Sequence, residues 1–230
     1  MSNAPLHIAG ERLMLDPVGV LFWPARKWLM VADLHLEKGS SFAARGAGLL
    51  PPYDTRETLQ NLANALRRYR PARLVALGDS FHDAEGHTRL PEAELTTLRR
   101  LLTGLEVTWV LGNHDPVPPA NLPGQACAEL TEGPLRFRHE ALPGKQPAGE
   151  ISGHFHPKAS MPTRLGPITR PCFMTDPRRV ILPAFGAYTG GLDATDPALM
   201  NLFPWGARVF LLGKERLFSL PLAPARRMTA

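Results

Sequence analysis

Cysteine is nearly absent from this 230-residue chain: Cys127 and Cys172 are the only two, and neither stands in a C-x-x-C spacing. That excludes a disulfide framework and a thiolate zinc clip, and reduced thiols are the expectation. Long apolar runs are missing as well; none approaches the roughly 18 residues needed to cross a bilayer, so no membrane partner is expected. The N-terminus lacks a basic stretch followed by an apolar segment and a small-residue cleavage site, which makes the cytoplasm the expected location. Lysine is scarce, and arginine carries most of a net charge of +5 with a pI of about 9.6. Arginine binds phosphate bidentately, so this balance suits a polyanionic partner, although an ordinary surface gives the same balance. There is no repeat, linker or low-complexity block. With 44% hydrophobic and 20% charged residues, positions 1–230 read as one globular domain.

What the chain does have is a series of metal-ligand residues, each placed just after a short apolar run. They are Asp33-Leu34-His35, Gly78-Asp79, Gly112-Asn113-His114-Asp115, His139 and Gly153-His154-Phe155-His156-Pro157. Five of the eight histidines fall in these motifs. Oxygen and nitrogen donors of this kind hold Mn²⁺, Fe or Zn²⁺ rather than a thiolate-bound structural ion. Five separate segments feeding one site need a folded core to bring them together, which points to an enzyme, and to a hydrolase.

The strand Trp28–Ala32 is expected to deliver Asp33 and His35 at its carboxyl end. Arg73–Leu77 leads into Gly78-Asp79, and Val107–Leu111 into the Asn113-His114 turn. Residues 39–53 read as a loop ending in Pro51-Pro52. A helix then begins near Asp54, with Asp54 and Glu57 at capping-box spacing, an apolar stripe of Leu59, Leu62, Ala63 and Leu66, and Pro71 closing it. A second helix starts at Pro91, carries Leu95, Leu98, Leu101 and Leu102, and stops at Gly104. This β-α-β-α-β order predicts parallel strands, right-handed crossovers and a ligand site at the carboxyl ends of the strands. After Pro116 helical periodicity disappears. Leu135–Arg138, Glu150–Ser152, Val180–Leu182 and Arg208–Leu212 read as strands of a second sheet packed on the first.

Two metal ions account for the donors. Asp79 has two carboxylate oxygens and can bridge a pair of ions. Asp33 and His35 alternate along an extended segment, so the chain must turn before they converge, while Gly78 and Gly112 let the backbone approach closely. His154 and His156 can serve one ion each, and Asn113 and His139 complete the second. Two ions about 3.5–4 Å apart can hold a hydroxide between them and neutralise the oxygens of a phosphate. His114 lies beside the ligands without being needed as one, and is the natural general acid for a departing alkoxide. His139 or the Asp33-x-His35 pair alone would carry little weight; all five motifs in this order are specific.

These motifs resemble those of the calcineurin-like metallophosphoesterase superfamily: D-x-H, G-D, G-N-H-D, an isolated H, then G-H-x-H, spanning Asp33 to Pro157 with no ligand missing. The resemblance implies that Asp33, His35, Asp79 and His156 bind one metal, that Asp79, Asn113, His139 and His154 bind the other, and that His114 is the catalytic histidine. The fold it implies is α/β, a two-sheet β sandwich flanked by helices in four layers, α/β/β/α. Gly78-Asp79-Ser80-Phe81-His82-Asp83 departs from the G-D-x-x-D-R-G of phosphoprotein phosphatases. It is similar to the G-D-x-F-H of double-strand-break-repair nucleases, where that histidine assists the catalytic one. His82 is therefore a candidate second catalytic residue, with an exposed loop histidine as the plain alternative.

Three longer strings, Asp33–Phe42, Leu50–Glu57 and Leu182–Leu192, look closer still to the bacterial ligase-associated DNA-damage-response endonucleases. That likeness implies an Mn²⁺-dependent DNA endonuclease or phosphodiesterase acting in DNA repair, with a DNA ligase or other repair proteins as partners. The glycine-rich Gly186–Gly191 segment reads as a close approach to substrate or as a strand-edge turn. Lys38 and Arg45 lie near the motifs in sequence and are expected to contact flanking phosphates. A small-molecule phosphodiesterase or phosphomonoesterase on the same core is the alternative function, since no separate nucleic-acid-binding module is recognisable. A non-catalytic scaffold of this fold would have no reason to keep seven ligands and an acid.

Overall fold

Alternation of apolar side chains in the central strands builds two cores at once. The computed structural model describes residues 2–47, 50–51, 53–117, 119–144 and 146–224. The first half runs β1 (Ala4–Ile8), β2 (Glu11–Leu15), β3 (Leu21–Trp23), β4 (Trp28–Val31), α1 (Lys38–Ala44), α2 (Asp54–Tyr69), β5 (Arg73–Leu77), α3 (Gly86–Arg89), α4 (Glu92–Leu102) and β6 (Glu106–Val110). It continues through β7 (Gln125–Cys127), β8 (Glu129–Glu132), β9 (Leu135–Arg138), β10 (Glu150–Ser152), β11 (Lys158–Met161), β12 (Ile168–Thr175) and β13 (Arg179–Ile181). The last elements are α5 (Pro197–Met200), β14 (Ala207–Leu212) and β15 (Leu217–Leu222).

The first sheet has the order β1-β2-β3-β4-β5-β6-β7. Its first four strands are antiparallel, and β4 through β7 are parallel, with helical crossovers from β4 to β5 and from β5 to β6. The second has the order β15-β14-β12-β13-β10-β9-β8, with β11 paired to β12. In β4 and β5, Leu29, Val31, Leu74 and Ala76 face helices α2 and α4, where they meet Leu59, Leu62, Leu95 and Leu98. Their neighbours Met30, Ala32, Val75 and Leu77 face the second sheet and pack on Leu135, Phe137, Ile151, Val180 and Leu182. A period of two thus splits each buried strand between a helix-facing and a sheet-facing core. The outer face of the second sheet is covered by the short α5 and its flanks, through Leu199, Met200, Leu202 and Phe203. This is the expected two-sheet sandwich with flanking helices, its fourth layer reduced to one helical turn.

Three local expectations are corrected. The segment read as a loop over 39–53 contains helix α1; Pro52 lies outside the described residues. Asp54 does not cap α2: it is the first helical residue, and its Oδ2 accepts from the Gly39 N–H of α1 at 3.0 Å. Ala63 is only half-buried, and Ala65 takes the core position instead. The β1–β2 hairpin escapes sequence reading because its two-residue turn, between the paired Ile8 and Glu11, is Ala9-Gly10. Both turn residues have positive φ, at 51° and 85°. Such a turn normally advertises itself with asparagine or aspartate at the first position.

Candidate metal centre

The ligand loops are extensions of the β4–β5 ladder. Beyond the strand ends the pairing continues, with Asp33 N–H to Gly78 O at 3.2 Å, His35 N–H to Asp79 O at 2.9 Å and Leu36 N–H to Ser80 O at 3.0 Å. The D-x-H segment is thereby held in register against the G-D segment. The turn that brings alternating side chains together is made by backbone strain: Asp33, His35, Asp79, His154 and His156 all have φ between 42° and 71°. Left-handed conformations at non-glycine residues are uncommon, and a cluster of them marks a site whose surroundings impose the geometry. At Gly78 the same φ, +81°, is combined with close approach, since a Cβ there would lie 2.2 Å from His139 Nδ1. A Cβ on Gly112 would meet Asp79 Oδ1 at 2.1 Å. No side chain fits at either position.

All seven expected ligands converge into two groups that share one oxygen. In the first, His35 Nε2 and His156 Nε2 are 3.2 Å apart, and His156 Nε2 lies 3.5 Å from Asp33 Oδ1. In the second, His139 Nε2 lies 3.0 Å from His154 Nδ1 and 2.9 Å from Asn113 Oδ1, which is itself 3.0 Å from His154 Nδ1. Asp79 Oδ2 stands between them, 3.8 Å from His35 Nε2 and 3.4 Å from His139 Nε2. Its partner oxygen, Oδ1, is occupied by the His114 N–H at 2.9 Å. Asp79 therefore offers a single oxygen to both groups, rather than one oxygen to each.

These spacings are those of coordination shells. Donors about 2.1 Å from a common cation lie about 3.0–3.4 Å from one another in octahedral or tetrahedral arrangement. Ring nitrogens facing each other at such distances either share a proton or surround a cation. The tautomers agree: His139 Nδ1 donates to Leu77 O at 2.9 Å, which leaves Nε2 free for the cage. Burial pushes His35 down to about 2, helped by the neighbouring His156. Burial also works against charge on His139, but Asp79 and Asp33 outweigh it and hold this ring up at about 9. Without a cation, a proton on His139 balances the two carboxylates. The residues present fit a pair of divalent cations.

Asp115 is the residue whose role the sequence concealed. It is buried, and its carboxylate accepts from Ser80 N–H at 2.7 Å, Phe81 N–H at 3.1 Å and Gly112 N–H at 3.2 Å. It ties the G-D loop to the G-N-H-D loop, and burial together with the charge of Asp79 pushes its carboxyl up to about 6. The signal was its place in the Gly112–Asp115 motif, but nothing local distinguishes an anchor from a ligand. Asp115→Ala leaves three buried N–H groups without an acceptor and is expected to cost about 2–4 kcal/mol in urea unfolding. An unchanged midpoint would refute the anchoring role.

His114 is oriented from behind. Its Nδ1 donates to His82 O at 2.8 Å, leaving Nε2 in the cleft, 4.0 Å from Asp79 Oδ2. The His82 ring stacks on that of His114, with centroids 5.2 Å apart. His82 Nδ1 lies 3.1 Å from His35 Nδ1. Because His35 Nε2 faces the cage, its Nδ1 carries the proton and donates to His82. His82 is thus half-buried among histidines rather than a free loop residue. Beside it, a cavity of about 570 Å³ is lined by Arg45, Asp83, Arg89, Asn113 and His114. Arg89 grips Asp83 with contacts of 2.8 and 2.7 Å, and Arg45 reaches the same carboxylate at 3.5 Å. Arg45 is accordingly paired with an acid. The Gly186–Gly191 segment packs against the ligand loops themselves: a Cβ on Gly186 would lie 2.1 Å from Leu34 O.

No family model matches this chain, and no curated protein matches it. Solved structures do. The crystal structure of the Pseudomonas putida nuclease MPE is similar with a TM-score of 0.73 and 29% identity, over 94% of this chain and 100% of that one. The Escherichia coli phosphoesterase YfcE aligns over 86% of this chain and 99% of its own, at 11% identity and a TM-score of 0.41, too distant to weigh. The match to the nuclease spans nearly the whole of both chains, and the chain has the metallophosphoesterase-type fold.

Proposed function

We propose that this chain is a metal-dependent phosphodiesterase that cleaves DNA, with a role in DNA repair and Mn²⁺ as its working ion. Asp33, His35, Asp79 and His156 would hold one cation, and Asp79, Asn113, His139 and His154 the other. The observation that carries this reading is the single Asp79 oxygen facing both donor groups, with His114 Nε2 4.0 Å away. Two bound cations supply charge neutralisation for the phosphate and activate water. The protein's own part is positional. His114, fixed through Nδ1, presents its Nε2 proton to the oxygen that leaves as water attacks phosphorus and the P–O bond breaks. His82 keeps His114 and His35 in their orientations. The neighbouring nuclease supports a nucleic-acid substrate, and a ligase or other repair proteins enter as partners through the resemblance of the longer strings alone.

The purified protein, stripped with EDTA, is expected to be inactive and to recover on addition of Mn²⁺. Recovered enzyme should hydrolyse bis(p-nitrophenyl) phosphate and nick plasmid DNA. Hydrolysis of small phosphate esters with DNA left intact under every metal tested would favour the small-molecule alternative. Activity surviving exhaustive chelation would overturn the metal assignment.

A further inference from the structure

Outside the cage, on its His35–His156 side, two lysines meet from different elements. Lys38 opens α1 and Lys158 opens β11, yet both reach the same short loop: Lys38 Nζ donates to Tyr188 O at 2.9 Å and Lys158 Nζ to Thr189 O at 3.2 Å. They are close enough that Lys158, after burial, is a cause lowering the pKa of Lys38. Among the described residues neither ammonium has a carboxylate within 4.0 Å. Asp54, the acid that acts on Lys38, already accepts from Gly39 N–H. The chain holds only five lysines, so two half-buried ones converging beside the metal ligands is a specific arrangement.

The loop that gathers them is built tightly. A Cβ on Gly191 would lie 2.1 Å from His156 O and 3.1 Å from Lys158 Cε, so this glycine lets the loop lie flat on the G-H-x-H segment. Tyr188 at its tip has φ 57° and is 45% exposed; its carbonyl oxygen accepts from Lys38, and its hydroxyl is directed to Glu57. Two like charges without an acid between them attract an anion, and an exposed aromatic residue on the loop that gathers them suits a nucleotide better than inorganic phosphate. Arg45 and Arg89, by contrast, have their charge met by Asp83.

We infer that Lys38 and Lys158 together hold the phosphate next to the scissile one on the same strand, so that the site selects a polynucleotide over an isolated phosphate ester. This rests on the phosphodiesterase reading above, and it assigns to Lys158 a role that its sequence position did not suggest.

The test compares wild type with a Lys38→Gln/Lys158→Gln double variant and a Lys38→Arg/Lys158→Arg control, all with Mn²⁺. On bis(p-nitrophenyl) phosphate, which has no flanking phosphate, kcat/KM of the Gln variant should stay within about twofold of wild type. On a single-stranded oligonucleotide its KM should rise about tenfold with little change in kcat, and the Arg variant should retain most of the affinity. Binding of a labelled oligonucleotide in EDTA, by fluorescence anisotropy across a KCl series, should lose about 0.7 from its log–log salt slope, one phosphate contact on a single strand. An oligonucleotide KM and salt slope equal to wild type would overturn the lysine site while leaving the nuclease reading intact. An equal loss on both substrates would also overturn it, since that marks damage to the cage. A wild-type enzyme that hydrolyses the small diester and never DNA would overturn the parent reading instead.

Discussion

Asp79→Asn is expected to reduce Mn²⁺-dependent hydrolysis by at least about 10³-fold and to lower the bound metal below two ions per chain. The substitution is isosteric and keeps an oxygen for the His114 N–H, so the G-N-H-D loop should stay in place. What it removes is the negative oxygen that both donor groups share. Calorimetric titration with Mn²⁺ should show the loss directly, independently of activity. A second signature is available in the metal-free protein. Asp79 is a main cause holding His139 up at about 9, so the His139 ring should titrate at lower pH in the variant when followed by NMR. Two tightly bound ions and full activity in Asp79→Asn would refute the shared-ligand arrangement.

His114→Ala is expected to lose about 10²–10⁴-fold in kcat on DNA while metal binding is retained. None of the contacts that define the two donor groups comes from its side chain, which is tied instead to His82 O. The general-acid role makes a sharper forecast than simple loss. p-Nitrophenolate leaves readily without protonation, whereas the alkoxide of a DNA strand does not. The deficit should therefore be much smaller on bis(p-nitrophenyl) phosphate than on DNA. Equal deficits on both substrates would assign His114 to binding the phosphate rather than to protonating the leaving oxygen.

The elements that carry these residues were legible where local pattern and tertiary demand coincide. Arg73–Leu77 is a strand end to end because its side chains are wanted on both faces and any apolar run satisfies that. The stripe of α4 was legible for the same reason, with Leu95, Leu98 and Leu102 buried against the first sheet. Legibility failed where a partner distant in sequence decides. β11 and β12 gain their hydrogen bonds only by pairing across the second sheet, and their sequences show little apolar alternation. Helix α1 forms over a glycine- and serine-containing stretch because Asp54 and Thr55, from α2, satisfy the backbone N–H groups of Gly39 and Glu37 at its start.

Ligand chemistry belongs to the residue types and survives reading in one dimension. Asp33, His35, Asp79, Asn113, His139, His154 and His156 could therefore be named as candidate donors from the residue types alone, and His114 set apart from them. The tertiary structure alone decided which Asp79 oxygen faces both donor groups, the anchor and the outer surroundings. Asp79 Oδ2, rather than both oxygens, lies between the two groups, Asp115 ties two loops through backbone N–H groups, and His82 stands behind His35 and His114. The pairing of Lys38 with Lys158 across 120 positions belongs to the same class. Such features depend on where a side chain's second functional atom points, which is set by packing between segments far apart in the chain.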